Sequence, residues 1–329
     1  MNARMAGSIT WAFRALAALL MAALLAGCAS MVPQTMALRT GWPAGVPQRA
    51  ELAQVPFFPQ DDYQCGPAAL ATVLVASGVQ TTPQALVPQV WLPSRHGSLQ
   101  LEMLSTPRRY ARVSYRLDAR FGDLLREVAA GNPVIVLQDV GLMLTQWHYA
   151  VVNGFDYSTG SIFLRSGTDA RKEMPFTYFE RTWMKSGYWA MVLTPPDRIP
   201  VTATPERWIE ALIAFSRTAD AASVTSAYAA AHRKWPENLP AAIGLANQLH
   251  TAGQLDRAAK VLQAALVRDP QSVIVRNNLA QTLSDQGRNR EALEVIEPAA
   301  ADPQSPFAAE VRATRQLILD RLRPKNAAS

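Results

Sequence analysis

The chain has 329 residues, a formal charge of +6 at pH 7, and 49% hydrophobic with 8% aromatic residues. Its Lys and Arg residues are spread evenly and form no stripe interleaved with aromatics, which excludes a nucleic-acid-binding face. Two cysteines and four histidines without paired ligand spacing, and no Gly-rich phosphate loop, exclude a zinc or nucleotide site, so no metal or cofactor is expected.

Arg4 and Arg14 flank or precede an apolar stretch over residues 15–25, followed by Ala26-Gly27-Cys28-Ala29-Ser30. A charged region, a short apolar region and small residues make an export signal over 1–27, too short for a comfortable membrane span. Leu25-Ala26-Gly27-Cys28 resembles the lipobox of bacterial lipoproteins. That resemblance implies cleavage before Cys28, lipidation of Cys28 and a stable membrane anchor through several acyl chains. The residues after Cys28 lack the Asp of lipoproteins kept in the inner membrane, so an outer-membrane site facing the periplasm is expected. Loss of 1–27 removes Arg4 and Arg14 but no acidic residue, lowering the charge to +4. Residues 28–49 read as an extended tether.

Residues 50–195 carry most of the aromatics and Gly. β-rich runs lie at 134–137, 149–153, 161–165 and 188–193, separated by turn signals at Gly131-Asn132-Pro133 and Tyr157-Ser158-Thr159-Gly160. Helical periodicity follows Cys65 (Leu70, Val73, Leu74) and spans Phe121–Val128. Helices first and consecutive strands afterwards predict an α+β domain with an antiparallel sheet. Residues 196–204 form a Pro-rich linker.

From Pro205 to residue 325 the chain is Ala-rich and helical, and it repeats. Leu245/Leu279, Ala246/Ala280, Gly253/Gly287, Ala258/Ala292, Leu262/Ile296 and Pro236/Pro270 are each 34 apart. This helix–Gly-turn–helix grammar resembles the tetratricopeptide repeat. Gly253 and Gly287 fall where a first helix must end and reverse. Residues 205–236, with Trp208 and Tyr228 as packing aromatics, fit a degenerate first unit, and 306–321 a solvating cap helix. The repeats imply a protein partner or substrate recruited through them; a purely stabilising appendage is the bland alternative.

The chemistry sits in two segments. Cys65 opens the apolar run Cys65-Gly66-Pro67-Ala68-Ala69-Leu70, which reads as a thiol at a helix N-terminus, where free N–H groups and the helix dipole favour thiolate. His148 opens a strand-like run more than eighty residues later and can supply a base. With Cys28 in the export signal, Cys65 has no disulfide partner. His96 reads as a loop residue, His232 and His250 as structural groups of the repeats, and Asp61 and Asp62 as exposed loop carboxylates. The tryptophans read mostly as core, with Trp147 placed to shield the adjacent His148.

Residues 55–74, Gln60 and Cys65-Gly66-Pro67-Ala68-Ala69-Leu70 above all, are similar to the papain-like cysteine peptidases that process double-glycine bacteriocin leaders. The resemblance covers roughly 50–195 and implies Cys65 as nucleophile, His148 as general base and Gln60 as oxyanion-hole donor. Gln60 lies five positions before Cys65 where the pattern has six, so Gln64 is the competing donor. The position that should hold an Asn or Asp to orient the imidazole falls on Ser166, with Asp169 its rival and Asp156 in the hairpin turn. A hydroxyl can accept from the ring N–H, but it stabilises imidazolium less than a carboxylate does.

The expectation is therefore a lipid-anchored protein with a papain-like α+β peptidase domain (50–195) and an all-α repeat domain (205–325). Its reaction is hydrolysis of a peptide or other amide through a Cys65 thioester. Two alternatives stay open: a degenerate peptidase fold serving as a binding scaffold, and a cysteine acyltransferase with an amine in place of water.

Overall fold

A computed structural model describes residues 32–59, 64–93, 97–141 and 143–323. The segment expected as an export signal, Cys28, Gln60, Asp61, Asp62 and His96 lie outside the described residues. The chain divides into two compact units, 1–104 with 116–192, and 105–115 with 193–329. Residues 105–115, inside the stretch expected as the first domain, thus group with the helical unit.

The first unit opens on α1 (Pro33–Thr40), a helix where an extended tether was expected. Its first turn is fixed by a buried carboxylate: Glu180 accepts from the backbone N–H of Gln34 at 2.9 Å and of Thr35 at 2.6 Å. These bonds satisfy donors that any helix leaves free at its N-terminus, and no sequence signal near residue 34 announces a partner 146 positions away.

The sheet combines β1 (Arg49–Glu51), β2 (Val113–Arg116), β3 (Val134–Asp139), β4 (Trp147–Asp156), β5 (Ser161–Ser166), β6 (Asp169–Pro175) and β7 (Ala190–Thr194) in the order β2-β7-β3-β4-β5-β6, with β1 also on β4. The β1–β4, β3–β4, β3–β7, β4–β5 and β5–β6 pairs are antiparallel. Val134, Ile135, Val136 and Leu137 are all buried, so β3 is covered on both faces and reads as a continuous apolar run. β4 is the longest strand and bends at a register shift between Val152 and Gly154. A Cβ on Gly154 would lie 2.8 Å from the Ala50 carbonyl oxygen and 2.8 Å from the Phe163 ring, so only glycine lets β1 and β5 close on it there.

Helix α2 (Cys65–Ala76) buries every residue from Gly66 to Leu74. It is apolar all round, as a helix in the middle of a core must be. α3 (Pro83–Val90) and α4 (Gln100–Ser105) follow, then α5 (Phe121–Ala129), which is strongly amphipathic and buries Phe121, Leu124, Leu125 and Val128. α6 (Phe176–Trp183) completes an aromatic cluster, with Phe121 5.4 Å from Phe179 and 5.8 Å from Trp183 between ring centroids.

The second unit is helical. α7 (Pro205–Phe215) and α8 (Ala221–Lys234) form the first pair, α9 (Leu239–Thr251) and α10 (Leu255–Arg268) the second, α11 (Val273–Asp285) and α12 (Asn289–Ala300) the third, and α13 (Ala308–Leu322) closes the stack. Thr204, Asp220, Asn238 and Ser272 cap their helices through side-chain oxygens. Gly253 and Gly287 take φ of +70° and +81° at the turns inside the second and third pairs, as expected for left-handed helix ends. Small Ala259 and Ala292 are buried and let neighbouring helices approach closely around Leu262, Leu279, Leu283 and Ile296, and Ala258 is buried as well. Trp208 is fully buried against Tyr115, and a Cβ on Gly244 would overlap the Tyr228 ring at 2.2 Å.

Candidate active site

Helix α2 begins at Cys65, with Gln64 as its N-cap. Gln64 makes no side-chain capping bond, and its carbonyl accepts from Ala68 N at 3.2 Å. Pro67 sits in the first turn, where its missing N–H costs nothing. Gly66 is required by close packing: a Cβ there would sit 2.1 Å from Ser98 Oγ and 2.6 Å from Ser98 Cβ. Ser98 in turn accepts a hydrogen bond from the Tyr149 hydroxyl through its carbonyl, at 3.3 Å. Helix α2, the segment before α4 and strand β4 thus meet at one point.

The thiol of Cys65 is shifted upward from its ordinary value because burial disfavours the thiolate. The backbone N–H groups of Tyr149, Gly66 and Cys65 itself act in the opposite sense by donating toward the sulfur, and they do not win. The free N–H groups expected at the helix start are present, then, but a resting thiolate is not their result. Desolvation is stronger than a partial dipole charge at a half-covered helix end.

His148 lies near the start of β4, opposite Gln138 of β3. Its Nε2 is 2.9 Å from Ser166 Oγ on β5. The imidazole is held down to about 4 by burial first and by the charge of Lys172 second. At neutral pH the ring carries no charge. If Nε2 carries the proton and donates to Ser166, Nδ1 is the free acceptor.

The structure therefore brings Cys65, Tyr149, His148 and Ser166 into one neighbourhood. Asp169, cross-strand partner of Ser166, is exposed, and a bulge does occur between Leu164 and Ser166. Even so, the ring's hydrogen bond goes to the serine. Asp156 is occupied at the β4–β5 turn, accepting from Ser158 N at 2.9 Å and Ser158 Oγ at 2.6 Å. Trp183 and Trp189 are core residues as expected, but Trp147 is 49% exposed and does not seal His148 from water.

Three features of the site carry no sequence signal. Tyr149 N–H approaches the sulfur, the charge of Lys172 acts on the His148 ring, and Asp139 braces the loop leading to His148. Buried Asp139 accepts from Gly141 N at 3.1 Å and Gln146 N at 2.9 Å, and it pairs with Lys185 at 3.1 Å. The Gln146 bond above all, with Gly141 and Lys185 behind it, holds its carboxyl below the usual range. In the same loop Met143 and Leu144 are 97% and 84% exposed. Among the described residues there is no cluster of His, Cys, Asp or Glu able to hold a metal.

A mixed α+β unit with a cysteine at the start of its central helix and a histidine on the facing strand, followed by paired helices in a 34-residue period, defines a peptidase fold joined to a repeat array. Residues 52–191 match the Peptidase_C39 like family, and residues 249–316 match the Tetratricopeptide repeat. The fold is accordingly the C39 peptidase fold with an antiparallel sheet, followed by tetratricopeptide-like helices. Among solved structures, a protein described as a C39-like peptidase from Bacillus anthracis is similar at 18% identity and a TM-score of 0.39, over 44% of this chain and 97% of that one. The peptidase domain of Streptococcus ComA, a bifunctional ABC transporter of a quorum-sensing pathway, is similar at 22% identity and a TM-score of 0.35, over 43% and 99%. No curated protein matches the chain.

Proposed function

We propose that this protein is a membrane-anchored cysteine peptidase that cleaves a peptide or other amide bond through a Cys65 thioester. One observation carries the reading: Cys65 opens a buried helix with the Tyr149 N–H turned toward its sulfur, and the residue before Tyr149 is a histidine held through Nε2 by Ser166. In this reading the resting pair is neutral thiol and neutral imidazole. His148 Nδ1 takes the thiol proton as the sulfur attacks the carbonyl carbon, so the ion pair forms during the step. The carbonyl oxygen becomes the oxyanion, met by the N–H of Cys65 and by the side-chain amide of Gln60 or Gln64. His148 then gives its proton to the departing amine, and water, deprotonated by the same ring, releases the acid from the thioester.

The anchor is part of the proposal. Cys28 would be lipidated and hold the chain to the bacterial envelope, on the periplasmic side of the outer membrane, with residues 205–325 recruiting the substrate or a partner protein. No described helix is long and apolar enough to cross a membrane.

A second reading is favoured by the directions of the two shifts. Raised Cys65 and lowered His148 suit a peptidase fold kept as a binding scaffold. Incubation of the full chain with a peptide library separates the two. Cleavage lost in both Cys65→Ala and His148→Ala, with an acyl adduct trapped on Cys65, supports the peptidase. Retention of peptide without cleavage, unchanged in Cys65→Ala, supports the scaffold. A crosslinked product on adding amine acceptors would move the assignment to acyl transfer.

A further inference from the structure

Strand β6 sends its charges to opposite faces. Arg171 bonds Glu51 at 2.6 Å, lies 3.6 Å from Glu173 and stacks over the Phe163 ring at 4.0 Å. Its charge is fully answered on that face. Lys172, the next residue, pairs with Leu164 of β5, while Ser166 pairs with Asp169. Leu164 lies two residues before Ser166 on β5 and shares its face, and Lys172 takes the face of its direct cross-strand partner Leu164; the bulge falls between that pair and Asp169. Lys172 therefore lies on the face where Ser166 holds His148, and its positive charge reaches the imidazole. Among the described residues Lys172, partly buried, has no ion pair or hydrogen bond, and exposed Asp169 forms no ion pair with it.

A cation in that place opposes the proposed chemistry. His148 must become imidazolium as Cys65 attacks, and a neighbouring ammonium raises the energy of that state. A negative group brought in by the substrate would cancel the penalty when it is needed, and in a half-buried site it would be weakly screened. We propose that Lys172 is a specificity-determining residue that selects substrates carrying a carboxylate beside the scissile amide, from a free C-terminus or an acidic side chain. This inference rests on the peptidase reading above.

Iodoacetate and iodoacetamide test it on the full chain. Both react by the same displacement: the Cys65 sulfur bonds to the methylene carbon, iodide leaves, and the thiol proton passes to His148 or solvent. They differ in one negative charge. Alkylation is followed by mass spectrometry of the Cys65-containing peptide, which keeps Cys28 out of the reading. The iodoacetate-to-iodoacetamide rate ratio is expected to exceed that of free cysteine by about tenfold, the low end of electrostatic steering. It should fall to the free-cysteine value in Lys172→Met and persist in Lys172→Arg. A preference for the neutral reagent, or a ratio indifferent to Lys172, overturns the inference while leaving the peptidase reading intact. No reaction with either reagent, in native protein that alkylates once unfolded, overturns both. Pairs of short peptides, free acid against carboxamide and Glu against Gln, are then compared as protectors of Cys65 from iodoacetamide. Stronger protection by one acidic form identifies the carboxylate's source, and equal protection by acidic and neutral forms counts against the selection.

Discussion

His148 Nε2 and Ser166 Oγ stand 2.9 Å apart on neighbouring strands, and this bond occupies one of the two ring nitrogens and leaves Nδ1 without it. Ser166→Ala removes the acceptor and lets the ring turn, at a net cost of about 1 kcal/mol for one hydrogen bond. Cys65-dependent turnover should fall roughly fivefold. Ser166→Asp places a carboxylate there, which favours imidazolium. Nitrogen NMR of the ring should then report a pKa above the native value of about 4. An unchanged titration in Ser166→Asp would show that the two side chains are not coupled in solution.

Low pH should loosen the first unit through His148. Its folded pKa of about 4 lies below the unfolded value of about 6.5, so the unfolded chain binds the proton first. The stability associated with the neutral ring is complete above the unfolded value. It is lost as pH falls from there through about 4, a change of about 3 kcal/mol for a shift of this size. Urea unfolding between pH 7 and pH 4 should show that slope in the native protein and a shallower one in His148→Gln.

Gly66→Ala should destabilise the first unit, because the added methyl would lie 2.1 Å from Ser98 Oγ. Overpacking of this kind costs about 1–3 kcal/mol. Ser98→Gly in the same chain should restore most of the loss, which denaturant midpoints would reveal. Equal midpoints for the single and double variants would mean that the collision is relieved elsewhere.

Asp139 should govern the order of the loop leading into His148. Asp139→Ala removes the acceptor of both Gly141 N and Gln146 N and strands Lys185. Hydrogen exchange at those two amides should accelerate strongly, while amides in the middle of β3 and in α2 keep their protection. Loss of protection across the whole sheet would instead assign Asp139 a global structural role.

Local chemistry is legible in a sequence where spacing alone carries it. The 34-residue period, with Gly253 and Gly287 at its turns, is one such case, since each repeat buries its apolar face only against the next. Cys65 at the head of an apolar helix is another. α1 is the opposite case: Pro33–Thr40 has no apolar period of its own and is helical because Glu180, far along the chain, satisfies its first turn.

By itself the sequence determined the α+β unit and the helical array, because periodicity and residue type act over a few positions. Only the tertiary structure decided the charge states of the site and its neighbours. Burial overrides the helix end at Cys65, and it joins Lys172 in keeping His148 neutral. Desolvation and Coulomb terms depend on what surrounds a group in space, and chain spacing does not record that.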